Sequence, residues 1–84
     1  MLEVKVLGSD CANCQRLERE TRAALSEAGI TYHLEKVTDY SDIAAYGVLS
    51  TPALVINEKV VAVGRIPAHA KIVELARSYN PEAL

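Results

Sequence analysis

Residues 11–14 are Cys11-Ala12-Asn13-Cys14, a stretch that contains both cysteines of the 84-residue chain. It follows an apolar segment from Leu2 to Leu7 that has the pattern of a β-strand, and it opens a segment with the period of an amphipathic helix. A cysteine at the start of a helix meets backbone N–H groups without helical partners, where the helix dipole favours a thiolate. The strand–cysteine–helix order therefore predicts a chemically active thiol pair.

The two cysteines have different predicted surroundings. Cys14 falls on the apolar stripe of the helix and Cys11 lies at its tip, so one thiol should be reachable and the other sheltered. We expect the pKa of the Cys11 thiol to lie below that of a free cysteine, because the helix end stabilises the thiolate. Asn13, unlike a proline, also keeps an N–H that can reach this sulfur. In thiol–disulfide exchange the first cysteine attacks and the second resolves the mixed disulfide.

Length and composition favour one small globular domain that spans residues 1–84. Half of the residues are hydrophobic, and the net charge is −2 without a run of Lys or Arg, which disfavours nucleic-acid binding. The N-terminal residues lack the continuous apolar region of a secretory signal, and no apolar run approaches the ~20 residues of a membrane span. We expect a cytoplasmic monomer that binds neither nucleic acid nor membrane.

Periodicity and turn residues predict the element order βαβαββα. The predicted strands are Leu2 to Leu7, Thr31 to Val37, Ala53 to Asn57 and Lys59 to Val63, and the predicted helices are Cys11 to Ala28, Tyr40 to Tyr46 and Pro67 to Tyr79. The first βαβ unit requires a parallel strand pair, whereas the last two strands form a hairpin at Asn57-Glu58. We therefore predict an α/β fold: a four-stranded mixed sheet in the order 2-1-3-4 with helices on both faces.

Several local details accompany this arrangement. In the first strand, Val4 and Val6 are predicted to lie on the inward face, and Leu2 is not assigned to it. Either Ser9 or Asp10 is expected to cap the first helix. The inward stripe of that helix is predicted to hold Cys14, Leu17, Thr21, Ala24, Leu25 and Ala28. The last helix is expected to begin with Pro67 as its first residue, to bury Ala70, Ile72, Val73 and Ala76, and to end at Asn80-Pro81.

Ser50-Thr51-Pro52-Ala53, directly before the third strand, supports the redox interpretation. A cis bond between Thr51 and Pro52 would let the Thr51 backbone face the disulfide, so that an extended client segment can pair with it. The alternative is an ordinary trans proline at the start of an edge strand. Thr51 and Pro52 are accordingly the candidate substrate-binding residues.

The chain resembles the thioredoxin/glutaredoxin superfamily over essentially its whole length. The matching pieces are the first apolar strand, Cys11-Ala12-Asn13-Cys14, Tyr46-Gly47-Val48-Leu49-Ser50-Thr51-Pro52-Ala53-Leu54-Val55-Ile56, and Val60-Val61-Ala62-Val63-Gly64. More narrowly, the chain resembles the small archaeal and bacterial proteins known as redox-active disulfide protein 2 in its compact length and in Val37-Thr38-Asp39 followed by Thr51-Pro52-Ala53-Leu54-Val55-Ile56-Asn57. The resemblance implies a thioredoxin-like fold in which Cys11 is the nucleophile, Cys14 the resolving thiol and Pro52 the cis-proline.

The chain departs from its relatives around the cysteines. Thioredoxin has Trp before the first cysteine and Gly-Pro between the two, whereas this chain has Asp10 and Ala12-Asn13. The redox potential of thioredoxin is therefore not carried over to this chain. Asp10 is expected to repel a Cys11 thiolate, and Lys5, Glu35 and Lys36 are candidates for a proton relay, with solvated strand charges as the alternative.

Glutathione is not an expected ligand. Glutaredoxins carry an acidic residue after the glycine of the last hairpin, but here Arg65 follows Gly64. This departure disfavours a dedicated glutathione site and leaves Arg65 as a contact for an anionic partner.

The sequence thus predicts a thiol–disulfide oxidoreductase that exchanges disulfides with protein clients and is recharged by a thiol reductase. The candidate site is Cys11 and Cys14, with Asp10, Asn13 and Lys36 as modulating residues; no cofactor is expected beyond the redox-active disulfide itself.

Two other interpretations remain open. The first is a metal carrier, since two sulfurs supply half of a zinc shell, although His33 and His69 are more typical of surface positions than of ligands. The second is a non-catalytic domain whose disulfide only senses oxidation.

Overall fold

A computed structural model describes residues 1–79 of the chain. Its elements are β1 (Leu2–Leu7), α1 (Ala12–Glu27), β2 (Tyr32–Val37), α2 (Tyr40–Ala45), β3 (Ala53–Ile56), β4 (Lys59–Val63) and α3 (His69–Tyr79). The predicted order βαβαββα is confirmed, and β1 and β4 have the predicted bounds. The predicted helix end at Asn80-Pro81 lies outside the described residues. No helix within residues 1–79 combines the length and apolar character needed to cross a membrane.

The sheet has the predicted order β2-β1-β3-β4. The β1–β2 pair is parallel, whereas β3 is antiparallel to both β1 and β4. Strand β3 lies inside the sheet and is buried along its whole length, because helices cover both faces there. Because β1 is an inner strand, the cysteine motif that follows its carboxyl end lies near the middle of one end of the sheet.

The two faces of the sheet have separate apolar cores. Helices α1 and α3 pack on one face and α2 on the other, which confirms the predicted placement of helices on both faces. The larger core consists of Leu2, Val4, Val6, Leu17, Ala24, Leu25, Leu54, Ile56, Ala62, Ile72 and Ala76. The smaller core consists of Leu7, Val37, Ile43, Val48, Ala53 and Val55.

Two predictions about the cores were wrong in detail. Leu2 belongs to the inward face of β1, since alternate residues of a strand share a face and Leu2 is fully buried with Val4. On α3, Ala70 is exposed, whereas Ile72 and Ala76 are buried as expected.

The start of α3 also differs from the prediction. Pro67 is not its first residue, because the first helical hydrogen bond runs from the Ile72 N–H to the Ala68 carbonyl at 3.0 Å. The helix therefore begins at His69. The fixed φ of proline suits an extended loop as well as a first helical turn, so the residue type alone did not decide between them.

The β3–β4 hairpin turns on two residues, as predicted. Ile56 pairs with Lys59, and the turn residues Asn57 and Glu58 have φ angles of 49° and 68°. Positive φ at both positions is the geometry of a type I′ turn. Asn57 anchors the turn: its N–H donates to the Glu3 carbonyl at 2.7 Å, and its side-chain oxygen accepts the Glu3 N–H at 2.9 Å.

Glu58 adopts this unfavourable conformation within a polar network on the α2 face. The Lys5 amine donates to Glu58 at 2.7 Å and to the Tyr46 hydroxyl at 2.8 Å, and that hydroxyl also donates to Glu58. The Glu58 carboxylate and the Tyr46 hydroxyl raise the pKa of Lys5 above its ordinary value, and Lys5 lowers the pKa of Glu58. These contacts explain how a non-glycine residue is held at a positive φ here.

Candidate active site

Cys11 and Cys14 form a disulfide at the start of α1, with their Cα atoms 5.0 Å apart. Cys11 is the N-cap of the helix: its carbonyl accepts the first helical hydrogen bond, from the Gln15 N–H at 2.9 Å. Its Sγ accepts a hydrogen bond from the Cys14 N–H at 3.2 Å. The sulfur of Cys11 thus occupies the position in which an N-cap oxygen normally accepts a backbone N–H.

This geometry corrects two sequence-based expectations. The cap is Cys11 itself rather than Ser9 or Asp10, because the chain reaches the helix only after Asp10 has turned through a left-handed φ of 64°. The N–H that reaches the Cys11 sulfur belongs to Cys14, one residue beyond Asn13. In a helix the third N–H after the cap points back at the cap side chain, which is the position of Cys14.

The two thiols differ in accessibility, as predicted. Cys11 is exposed, whereas Cys14 is 4% exposed and lies on the inward face of α1. A reagent from solvent therefore meets Cys11 first, and Cys14 stays behind it within bonding reach.

Gly8 makes room for the Cys14 sulfur, a role that the sequence analysis missed. A Cβ built on Gly8 would overlap Cys14 Sγ, and it would lie 3.6 Å from the Cβ of Thr51. Only a residue without a side chain fits between β1 and the cysteine motif. The available signal was a glycine at the junction of strand and motif, but the same residue is common in any loop.

The loop before β3 lies beside the disulfide. Thr51 is exposed, Pro52 is buried, and the peptide bond between them is cis. Since the sheet pairing of β3 begins at Ala53, the Thr51 backbone stands outside the ladder. The closeness of Gly8 to the side chains of both Cys14 and Thr51 places Thr51 next to the thiol pair.

Asp10 and Lys36 are brought together by the fold. The Lys36 amine lies 2.9 Å from Asp10 Oδ1 and 3.4 Å from Glu18 Oε1, and Asp10 raises the pKa of Lys36. The negative charge next to Cys11 is therefore compensated by a cation from β2. Asn13 is exposed in the first turn of α1.

The other polar candidates lie elsewhere. The Lys5 amine is engaged by Tyr46 and Glu58 near the hairpin. His33 lies 3.1 Å from Glu3, and His69 contacts Glu20. Within residues 1–79, no three His, Cys, Asp or Glu side chains are grouped so that they can hold a metal ion.

Comparison with known proteins decides the family. The sequence profile described as Thioredoxin domain matches residues 2–77. The chain belongs to the thioredoxin family. It is 32% identical over 72 residues to a thioredoxin of Methanothermobacter thermautotrophicus, with 86% of this chain and 94% of that protein covered. It is also 32% identical over 79 residues to a thioredoxin of Methanocaldococcus jannaschii, with 94% and 91% covered.

A solved structure supports the fold. The chain aligns with thioredoxin-2, described as a component of the malaria parasite protein secretion machinery, with a TM-score of 0.70 and 18% identity. The alignment covers 93% of this chain and 82% of that one. The narrower resemblance to redox-active disulfide protein 2 stays a prediction.

Family membership and the Cys11–Cys14 disulfide together establish a thioredoxin-type thiol–disulfide oxidoreductase. Thioredoxins act in general on disulfide-bearing protein substrates and need no cofactor. These findings do not favour the metal-carrier or the non-catalytic interpretation.

Proposed function

We propose that Cys11 is the attacking thiol and Cys14 the resolving thiol of this oxidoreductase, acting on disulfides of protein clients. The observation that carries this assignment is the asymmetry of the pair: an exposed Cys11 sulfur at the N-cap and a buried Cys14 behind it. The Cys14 N–H that reaches the Cys11 sulfur and the positive end of α1 both favour a Cys11 thiolate in the reduced protein.

The exchange proceeds in two substitutions at sulfur. The Cys11 thiolate attacks one client sulfur, forms a Cys11–client bond and expels the other client sulfur as a thiolate. Deprotonated Cys14 then attacks Cys11, restores the Cys11–Cys14 disulfide and releases the second client thiolate. Two electrons pass from the protein dithiol to the client, and the two protons lost by the cysteines balance those gained by the client thiolates.

Thr51 and Pro52 are proposed to bind the client backbone. The exposed Thr51 stands outside the sheet ladder and beside the thiol pair, so an extended segment can form main-chain hydrogen bonds with it by strand addition. Such pairing would bring a client sulfur to Cys11 whatever the neighbouring side chains of the client, because it uses only main-chain groups.

Asp10, Lys36 and Asn13 are proposed to modulate the thiolate. Lys36 compensates the charge of Asp10, so the carboxylate repels a neighbouring Cys11 thiolate less than it would alone. Asn13 leaves a backbone N–H in the first turn, where a proline would remove it.

The remaining assignments rest on the residues alone. The proposal includes a thiol reductase that returns the disulfide to the dithiol, a monomeric state, a cytoplasmic location and a single domain over residues 1–84.

Insulin reduction with dithiothreitol tests the proposal. Wild-type protein should accelerate the precipitation of insulin chains, and Cys11→Ser should remove the acceleration. Cys14→Ser should instead accumulate a mixed disulfide through Cys11, which mass spectrometry detects. Equal rates for wild type and Cys11→Ser, or a mixed disulfide that forms on Cys14 in the wild type, would overturn the assignment.

A further inference from the structure

A groove between β4 and α3 opens beside the proposed site. Its volume is about 320 Å³, which accommodates a large side chain. Most of its wall is apolar, and two cations, Arg65 and Lys71, stand among the lining residues. The apolar part of the wall includes Val61, Ile66, Pro67 and Leu75.

A short series of neighbouring residues connects the groove to the thiol pair. Cys14 and Thr51 both lie next to Gly8. The carbonyl of Pro52 then accepts the Gly64 N–H at 2.7 Å, and Arg65 is the next residue. A client segment held at Thr51 therefore has the groove within reach of its neighbouring residues.

The cations on the two sides of the site differ in how far carboxylates compensate them. On the β2 side, Lys36 pairs with Asp10 and Glu18, so cation and carboxylates compensate one another. On the β4 side, the exposed Arg65 forms no ion pair or hydrogen bond with any side chain in the described part of the chain. Lys71 meets Glu74 at 3.4 Å, and both side chains are exposed, so this pair compensates the cation weakly.

We propose that this groove binds client segments that place a carboxylate beside an apolar side chain, next to the disulfide to be exchanged. The apolar side chain fills the space against Ile66 and Leu75, and the carboxylate lies against the exposed Arg65 guanidinium. The inference rests on the proposed function, which supplies the disulfide exchange; the groove adds client selection to it.

Peptide disulfides that differ only in the flanking residues test the selection. The acidic peptide carries Glu-Leu-Glu next to its disulfide, the basic peptide carries Lys-Leu-Lys, and a third carries Glu-Ser-Glu. At low ionic strength we expect kcat/KM to fall about two- to fivefold from the acidic to the basic peptide for each charge reversed, because rim charges act at this scale. Replacing Leu by Ser should cost about tenfold, because the burial of one apolar side chain is lost.

Variants of Arg65 give the decisive comparison. Arg65→Gln should lower the acidic-to-basic ratio about two- to fivefold, and Arg65→Glu should reverse the preference. Arg77→Gln is the matched control, since this exposed arginine of α3 lines a different depression with Val73 and Glu74. Raising the salt concentration should shrink the wild-type ratio.

A neutral small disulfide, 2-hydroxyethyl disulfide, separates the two proposals. Its reduction should be the same in wild type and both Arg65 variants and absent in Cys11→Ser. If Cys11→Ser keeps this activity, the proposed function fails. If Cys11→Ser loses the reduction of 2-hydroxyethyl disulfide, the proposed function stands. If, in that case, Arg65→Glu leaves the acidic-to-basic peptide ratio unchanged, or changes it only as much as Arg77→Gln does, the groove proposal is wrong.

Discussion

The two ends of the sheet differ in how far their polar groups are engaged by other residues of the chain. At the hairpin end, the polar groups of Lys5, Tyr46 and Glu58 bond to one another, and Asn57 holds the turn to Glu3. At the thiol end, Cys11 and Thr51 are exposed, and the Thr51 backbone stands outside the sheet ladder. The contrast teaches that the hairpin end is held closed by contacts to the turn, whereas at the thiol end Cys11 and Thr51 stay exposed although Lys36 and Asp10 pair beside them.

Gly8→Ala at the thiol end should have the largest effect. The new Cβ would overlap Cys14 Sγ, so the proposed resolving thiol must move, and misplacement of a reacting group by about 1 Å costs roughly a hundredfold in rate. The rate of 2-hydroxyethyl disulfide reduction measures the loss.

Gly29→Ala is the control for this change. Gly29 also has a positive φ, 70°, but a Cβ there meets no atom within 4 Å. It should lose about 1 kcal/mol of stability from backbone strain and keep its rate of disulfide exchange. If both alanine variants exchange disulfides equally fast, Gly8 is not needed for the placement of Cys14.

Thr21→Val should change the stability of the fold but not the rate of disulfide exchange, and the effect should be smaller than that of Gly8→Ala. Thr21 is fully buried on α1, and its hydroxyl has no hydrogen-bond partner in the described part of the chain. Removing a buried unpaired hydroxyl should raise the free energy of unfolding by about 1–2 kcal/mol. Urea unfolding of reduced and oxidised protein measures this change, and the exchange rate should stay unchanged. A less stable variant would show that the hydroxyl contributes to packing.

Glu58→Gln at the hairpin end should have the smallest effect, and only at acid pH. Lys5 holds the pKa of Glu58 below its ordinary value of 4.5, so the folded state binds fewer protons here than the unfolded state. The carboxylate therefore stabilises the fold above that pH, and this contribution disappears as the pH falls through the lowered pKa. The free energy of unfolding should decline less between about pH 5 and pH 3 in the variant than in the wild type.

The matched control for this change is Glu35→Gln, which removes a carboxylate from the same surface depression. The slope of stability against pH should change more in Glu58→Gln than in this control. An unchanged slope in Glu58→Gln would mean that the ion pair with Lys5 does not contribute to acid stability.

Local sequence determined the architecture. Alternation of apolar residues located β1, an apolar run located β4, both with correct bounds, and the Asn57-Glu58 turn marked the hairpin. The spacing of Cys11 and Cys14, with Cys14 on the apolar stripe, predicted one exposed and one sheltered thiol. These features depend on residues a few positions apart, because strand pleat, helix period and turn geometry are properties of short segments.

Tertiary structure decided which groups meet across the chain. The pairing of Asp10 with Lys36, the position of Gly8 beneath Cys14 and the groove beside Arg65 each join residues from different elements. The start of α3 belongs to the same class, since a proline fits both a loop and a first turn. Contacts between distant segments depend on sheet register and helix packing together, and no short window of the sequence records either.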